Sequence, residues 1–326
     1  MASLVMEDLG VYGPVAMGEA GAVPVPLVEA RAYVERFLRG STENFTVASW
    51  LLPRELRPAF AAVYAFCRWA DDLADEAGSV AEASRLLRWW RGQLDAMFEG
   101  RAKHPVFVAL WPEVEQYGLP RQAFEDLIDA FEQDQRVSRY DTWEQLLDYC
   151  TRSANPVGRL VLKLFGYDDA ERLRLSDATC TALQLTNFWQ DVRRDLLERD
   201  RVYLPRDIAA GYGMDVEELP RLVRGEGGEL EEVCERCAAT VREAAERTWP
   251  MFAEGRGLWR MVSGKGGWRL RVDVALFTLG GEAVLRRVDG MYGKTLERRP
   301  RLGRLARVGL GVRGLCAGLL PGVMGR

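Results

Sequence analysis

Hydrophobic residues recur at helical spacing along the chain after residue 30, and alternating strand-like patterns bounded by turn residues are nearly absent. This pattern predicts an all-α fold. The segment 59–70 is apolar on nearly every side, which is typical of a buried helix. Further helices, with glycines between several of them, are predicted at 80–99, 105–117, 120–135, 142–151, 157–165, 170–198, 229–248 and 268–288.

The chain of 326 residues shows no internal repeat and no Ser- or Pro-rich linker, so one helical domain is predicted over residues 31–300. The segment 1–30 contains no Lys or Arg and carries scattered Gly and Pro, so we expect a flexible extension there rather than a signal peptide. The longest uncharged run, 178–190, has 13 residues, whereas a membrane-spanning helix needs about 20. No transmembrane helix is therefore predicted.

The charge is nearly balanced overall but unevenly distributed. The chain has 44 Lys and Arg against 48 Asp and Glu, a formal charge of −4, which argues against a nucleic-acid partner. Six Cys without an export signal favour free thiols in the cytoplasm. The segment 293–326 carries eight basic residues against Glu297 alone, so the rest of the chain carries −11. Its end, 301–326, is either a basic amphipathic tail resting on the inner face of an anionic membrane or a solvated helix.

The predicted helix around 59–70 continues into an unusually polar segment. Tyr64, Arg68, Asp71 and Asp75 follow one another at intervals of four, three and four residues, so they share one helical face. Asp72 and Glu76 lie off that face, and we expect them at a solvated edge.

A second polar face lies near the end of the predicted helix 170–198. Asn187, Asp191 and Asp195 are four residues apart, and Gln184 stands one turn before them. Two carboxylates at this spacing repel each other, and burial raises the cost unless a cation lies between them. Each of the two segments therefore presents a pair of Asp side chains whose mutual repulsion a bound cation would offset.

Mg²⁺ is the cation that this donor set favours, because it takes oxygen ligands and is usually shared between one or two carboxylates and substrate phosphate oxygens. Four Asp side chains and a bound diphosphate carry about −7, which three Mg²⁺ ions and Arg68 balance. The chemistry that such a site permits is ionisation of an allylic or cyclopropylcarbinyl diphosphate.

Two other motifs are given structural interpretations. His104 precedes Pro105 and is expected to begin a helix rather than to bind a metal. Cys234 and Cys237 form a lone CxxC without a second pair, so zinc is not expected there.

From about residue 30 onward, the chain resembles the squalene/phytoene synthase family, the head-to-head prenyl synthases. The resemblance rests on the segments 51–53, 64–75, 149–158, 183–195 and 201–205. It implies a class I terpenoid synthase fold with helices around a central cavity, and an Mg²⁺ cluster on two Asp-rich motifs. By the resemblance, the metal ligands are Asp71, Asp75, Asn187, Asp191 and Asp195. Further catalytic or substrate-binding positions that it implies are Asn44, Phe45, Tyr64, Arg68, Tyr149, Gln184, Arg201 and Tyr203.

Within the family, the segments 43–49 and 153–158 resemble the hydroxysqualene synthase branch of the hopanoid pathway. A diphosphate-contacting Ser of the family is Asn44 here, and Gln190 stands where condensing members often have Arg. Both departures fit one diphosphate per substrate, namely presqualene diphosphate, which reacts with water to give hydroxysqualene. The partner implied is an isoprenoid diphosphate, with functional coupling to a presqualene diphosphate synthase. No nicotinamide cofactor is expected, since no GxGxxG follows a strand.

Two alternatives to hydroxysqualene synthesis stay open at this point. One is a condensing synthase that makes presqualene diphosphate, squalene or phytoene from farnesyl or geranylgeranyl diphosphate. The other is a non-catalytic assembly factor on the same fold, which would be expected to have lost its acidic residues. The base that takes a proton from the attacking water is also open. Bound diphosphate, Tyr64 and Tyr203 are candidates, although a tyrosine's ordinary pKa near ~10 makes it a poor base.

Overall fold

The computed structural model describes residues 4–18, 23–40, 52–224, 230–263, 267–303, 309–311 and 313. Within those ranges the regular secondary structure is helical, and a single isolated parallel bridge joins Arg139 to Val202. The predicted all-α fold is therefore confirmed. The chain forms two compact units, one of residues 1–136 and 159–168 and the other of residues 137–158 and 169–326.

In its described residues the first unit contains seven helices and the larger part of an eighth. They are α1 (Leu4–Tyr12), α2 (Pro14–Gly18), α3 (Leu27–Gly40), α4 (Arg57–Asp75), α5 (Val80–Phe98), α6 (Pro105–Tyr117) and α7 (Arg121–Asp134). The second unit begins with α8 (Trp143–Ser153) and with the first turn of α9 (Asn155–Leu164), the rest of which belongs to the first unit. It continues with α10 (Ala170–Arg199), α11 (Arg206–Gly211), α12 (Leu219–Val223), α13 (Leu230–Gly255), α14 (Leu258–Met261) and α15 (Gly267–Gly290).

The core of the first unit is aromatic, and α4 lies at its centre. Trp69 of α4 stacks on Trp90 of α5 with ring centroids 5.2 Å apart, and both indoles are fully buried. His104 stands against Trp69 edge to face at 4.6 Å. Its Nδ1 accepts from the Val106 backbone NH, so His104 caps α6 as predicted, and burial lowers its pKa to about 3. These rings fix the helix that carries the first Asp motif.

Residues 4–18, for which the sequence predicts a flexible extension, form the two helices α1 and α2. Val5 is fully buried, and Asp8 accepts a hydrogen bond of 2.7 Å from the Tyr33 hydroxyl on α3. The Trp69 indole NH donates in turn to that hydroxyl at 3.2 Å. Because this bonding partner lies 25 residues away in sequence, the local pattern of 1–30 did not reveal it.

The long helix α10 carries the second Asp motif and packs against both α13 and α15. Trp189 of α10 donates its indole NH to Thr248 of α13 at 3.0 Å. Helix α9 approaches α10 closely at Gly158, where an added Cβ would lie 2.4 Å from Ser176 Oγ. Thr181 also donates to the Asn155 side chain at 2.9 Å. The segment 155–158, Asn-Pro-Val-Gly, is therefore packed against α10.

None of the helices described combines the length and the apolar character that a bilayer-spanning segment needs.

Candidate active site

The first Asp motif occupies the last three turns of α4, which is buried along most of its length. Tyr64, Arg68, Asp71 and Asp75 are all half-buried, and fully buried apolar residues stand between them. The four residues therefore form one partly accessible polar face on an otherwise buried helix, as the spacing predicts. Gln135 donates its side-chain NH to the Ala74 carbonyl at 3.2 Å, which satisfies one free carbonyl at the helix end.

Asp72 departs from its predicted place at a solvated edge. It is only 3% exposed, and its carboxylate pairs with Arg68 at 2.8 Å, whereas Arg68 lies 3.7 Å from Asp71. Glu76 is exposed as expected. Asp72 is buried because it faces the core side of α4, and the ion pair one turn back compensates its charge. We call each Asp motif with its neighbouring side chains a half-site. The first half-site, on α4, thus has its counter-ion on the same helix.

The second Asp motif lies where α10 leaves ideal helical geometry. Asp191 has φ −106° and ψ 15°, inside a helix that is otherwise continuous from Ala170 to Arg199. Asn187 is exposed, while Gln184, Asp191 and Asp195 are half-buried. The predicted face is present, with a local change of direction at its first carboxylate. No residue type at this point, neither Pro nor Gly, signals the change in the sequence.

The second half-site, on α10, holds two carboxylates whose negative charges are poorly compensated. The pKa of Asp195 is raised to about 7, first by burial and second by the negative charge of Asp191. The guanidinium groups of Arg199, Arg194 and Arg201 act in the opposite direction but do not cancel the effect. A cation placed between the two carboxylates would favour their charged forms and so offset this raised pKa.

Asp191 is held by a guanidinium from a distant part of the chain. Arg299 pairs through Nε with Oδ1 of Asp191 and through Nη2 with Oδ2 at 3.0 Å. Arg194 lies 3.7 Å from the same carboxylate and pairs more closely with Glu198 at 3.0 Å. No periodic pattern predicts this role of Arg299, because it stands 108 residues from Asp191.

An aromatic cluster lies beside the second motif. Tyr203 stacks on Phe188 of α10, with ring centroids 3.7 Å apart and planes within 9°. Tyr140 and Tyr149 join them at centroid distances of 5.9 and 6.1 Å from Tyr203. The structure thus brings the predicted Tyr149 and Tyr203 together and adds Phe188 and Tyr140, which the sequence analysis missed. Phe188 could have been found, since it directly follows Asn187.

Arg201 and Tyr203 are positioned by the only bridge that the described ranges contain. The Val202 NH donates to the Ser138 carbonyl at 2.9 Å, and Arg139 pairs with Asp200 at 3.0 Å. The Arg201 NH donates to the Asp195 carbonyl at 3.1 Å. Arg201 is 8% exposed, so its charge is held close to the end of α10.

Two candidate positions, Asn44 and Phe45, lie outside the described residues. Gln190, where an Arg is common in condensing members of the family, donates its side-chain NH to the Pro300 carbonyl at 2.8 Å. The position is therefore neutral and engaged with the chain itself.

The residues present fit magnesium. Each half-site offers a pair of hard carboxylate oxygens, and guanidinium groups already stand against Asp71 and Asp191. Among the residues described, no three His, Cys, Asp or Glu side chains gather into a closed cage of their own. The carboxylate pair of each motif suits Mg²⁺, which prefers one or two carboxylates completed by water and substrate phosphate.

The chain is similar to a known protein family and to individual enzymes. The squalene/phytoene synthase family profile matches residues 38–306. The hydroxysqualene synthase of Sinorhizobium fredii is 37% identical over 177 residues, which cover 54% of this chain and 60% of that enzyme. The hydroxysqualene synthase of Rhodopseudomonas palustris is 31% identical over 245 residues, which cover 75% of this chain and 78% of that enzyme.

A solved structure gives the same indication for the fold. The squalene synthase of Alicyclobacillus acidocaldarius aligns with a TM-score of 0.72 and 40% identity, covering 83% of this chain and 97% of that one. The chain spans less than two thirds of the Sinorhizobium enzyme but nearly the whole of this structure.

Proposed function

Because the chain belongs to the squalene/phytoene synthase family of head-to-head prenyl synthases, we propose that it converts presqualene diphosphate and water into hydroxysqualene and diphosphate. The curated relatives named hydroxysqualene synthase support this choice. The observation that carries it in this chain is Gln190, whose neutral side chain is bonded to the Pro300 carbonyl and offers no cation to a second diphosphate.

In the proposed site, Mg²⁺ would be held by Asp71, Asp75, Asn187, Asp191 and Asp195. When bound, the metal supplies positive charge that stabilises the departing diphosphate. Arg68 and Arg201 add two fixed guanidinium charges, one at each motif. Those residues together bind and orient the diphosphate end of the substrate.

The hydrocarbon end would react beside the aromatic cluster. The carbon–oxygen bond to diphosphate breaks and leaves a cyclopropylcarbinyl cation, whose ring then opens. The outer faces of the stacked Phe188 and Tyr203 rings carry negative π density of the kind that attracts a cation, an interaction of about 0.5–2 kcal/mol. Water attacks the opened cation, and its proton leaves to bound diphosphate, to Tyr64 or to Tyr203.

The alternative function is condensation of farnesyl or geranylgeranyl diphosphate to presqualene diphosphate, squalene or phytoene. One observation favours it, namely that the two guanidinium groups of Arg194 and Arg299 stand at Asp191 and could serve a second diphosphate. The likeness to the Alicyclobacillus squalene synthase points the same way.

A substrate assay separates the two functions. The purified full chain is incubated with Mg²⁺ and with presqualene, farnesyl or geranylgeranyl diphosphate in separate reactions, and the products are identified by mass spectrometry. We expect hydroxysqualene from presqualene diphosphate alone. Products from farnesyl diphosphate alone would instead establish the condensing function. Parallel reactions with EDTA test the magnesium requirement.

We also propose peripheral membrane contact through the basic tail 301–326, since the C30 substrate and product are very apolar. Leu310 packs against the cluster of Trp259, Ala275 and Leu279, so one point of the tail is docked on the second unit. Co-sedimentation with phosphatidylglycerol vesicles is expected to fall when Arg304, Arg307 and Arg313 are all changed to Gln. Equal sedimentation of the two full-length proteins would refute this role.

A further inference from the structure

The chain after α15 is first fixed by a buried anchor, residues 293–296. Gly293 has φ +74°, and an added Cβ would lie 2.2 Å from the Ala238 carbonyl oxygen of α13, so only glycine fits there. Thr295 and Leu296 are buried, and Lys294 pairs with Glu235. Arg193 of the second motif donates to the Leu296 carbonyl at 3.3 Å. The anchor therefore sets where the following residues run.

We call the next residues, 297–303, the strap, because two of them are bonded to side chains of α10. Two side chains of the second motif hold it. Gln190 donates to the Pro300 carbonyl, and Asp191 forms a two-pronged ion pair with Arg299. Arg299 is 41% exposed, whereas Asp191 is 14% exposed, so the guanidinium covers the carboxylate from the solvent side. The strap thus places a cation, Arg299, on a proposed metal ligand.

Arg299 and a divalent cation compete for the same atoms. The guanidinium donates to both carboxylate oxygens of Asp191. Neither oxygen is therefore free to bind a metal from that side. A Mg²⁺ ion on Asp191 would also stand within a few ångströms of the guanidinium, and like charges at that distance repel. Loading of the second half-site therefore requires Arg299 to move.

We propose that Arg299 is a stand-in cation, which neutralises Asp191 before the metal binds and is released together with the strap when the metal is loaded. This inference rests on the metal set of the proposed function. Without Arg299, the guanidinium groups that remain are Arg194, which lies 3.7 Å from Asp191 and is paired with Glu198, and Arg199 and Arg201, which act on Asp195 without cancelling its raised pKa. Through Arg299, the strap stabilises the second half-site before the metal binds. The strap can move away when the metal is loaded, because residues 293–296, and not the ion pair, hold its beginning in place.

Metal affinity tests the competition directly. Mn²⁺ binding to the full chain is measured by the loss of the free Mn²⁺ electron-spin resonance signal, in the presence of inorganic pyrophosphate. Arg299→Gln is compared with Arg298→Gln, which removes the same charge from an exposed neighbour outside the ion pair. We expect Arg299→Gln to bind Mn²⁺ about three- to tenfold more tightly than Arg298→Gln. Arg299→Lys, which keeps the charge but not the fork, should fall between them.

Hydrogen exchange tests the release. In the wild type, backbone amides of 297–303 should exchange faster once Mn²⁺ and pyrophosphate are added, while those of 293–296 stay protected. In Arg299→Gln the strap should already exchange fast without metal. Equal affinities of the two Gln variants, or slower exchange of the strap on loading, would overturn the inference.

Failure of the metal site itself gives a different result. If neither the wild type nor either variant binds Mn²⁺, or if Asp195→Asn binds it as well as the wild type, the proposed metal set is wrong and the inference falls with it. If the wild type binds Mn²⁺ and Asp195→Asn does not, only the comparison of Arg299→Gln with Arg298→Gln decides the role of the strap.

Discussion

The two Asp motifs have the same spacing but are neutralised in different ways. On α4, the counter-ion Arg68 comes from the same helix, one turn before the acids, and is joined to a buried Asp72. On α10, the helix changes direction at Asp191, Asp195 has a raised pKa, and the partner Arg299 comes from the far end of the chain. The first half-site is thus built into its helix, whereas the second depends on an exchangeable cation.

The largest effect is expected from removing a carboxylate of the second half-site. Asp195→Asn should lower the rate of diphosphate release by about 10²–10³-fold, because the charge of the leaving group loses a stabilising partner. Glu198→Gln, an exposed acid three residues on in the same helix, serves as the control and should keep nearly full activity. The rate is measured at saturating substrate and Mg²⁺. Equal activity of the two variants would remove the second half-site from the chemistry.

The helices and the two polar faces could be predicted from the sequence. The predicted helix 105–117 matches α6, and 170–198 matches α10 to within one residue, because apolar spacing and caps are local signals. The two polar faces were predictable for the same reason, since each lies on one helix.

Contacts through space were not predictable from these patterns. The pairing of Arg299 with Asp191 joins residues far apart in sequence, and Tyr140 joins the aromatic cluster from a loop before α8. The prediction that Asp72 is solvated was wrong. A helical pattern shows which residues share a face, but it does not show that an ion pair with Arg68 allows a charged residue on the next face to be buried.

Stability should distinguish the two half-sites next. Asp72→Ala leaves Arg68 without its closest partner, so we expect the free energy of unfolding to fall by about 1–3 kcal/mol. Glu76→Ala, at the exposed neighbouring acid, should change it by about 0.5 kcal/mol or less. Chemical denaturation at fixed pH measures both. If Arg299→Gln destabilised the protein more than Asp72→Ala, the first half-site would no longer be the more firmly built of the two.

The aromatic cluster gives a smaller, purely catalytic effect. Tyr203→Leu keeps an apolar side chain but removes the ring that stacks on Phe188, and kcat should fall about 3- to 30-fold. Tyr212→Leu is the matched control, because that tyrosine bonds to Glu243 away from the cluster. Single-turnover product formation is the measurement. An unchanged kcat in Tyr203→Leu would show that the cluster packs the fold without aiding the reaction.

The pH dependence of stability separates the two units. Burial raises the pKa of Asp273 in α15 to about 8, so the folded state holds a proton that the unfolded state releases above its ordinary pKa near 4. Stability should therefore decline between about pH 4 and pH 8, by about 1 kcal/mol or less per pH unit. In the first unit His104 has the opposite sign, because its lowered pKa costs stability as pH falls from about 6.5 toward 3.

Denaturation curves from pH 4 to pH 8 check both groups. Asp273→Asn should remove the decline that this carboxyl causes between about pH 4 and pH 8, so that below about pH 6.5 stability rises with pH, the sign that His104 gives. A decline that persists unchanged in Asp273→Asn would show that another group causes it.

Isotope labelling of the reaction tests the proposed function most directly. Presqualene diphosphate is turned over by the full chain with Mg²⁺ in water enriched in ¹⁸O, and the alcohol and the released diphosphate are analysed by mass spectrometry. Ionisation at carbon followed by capture of water predicts hydroxysqualene that carries one ¹⁸O, and diphosphate that carries none. Label in the released phosphate with an unrearranged, unlabelled alcohol would mean cleavage at phosphorus, and it would contradict the proposed reaction.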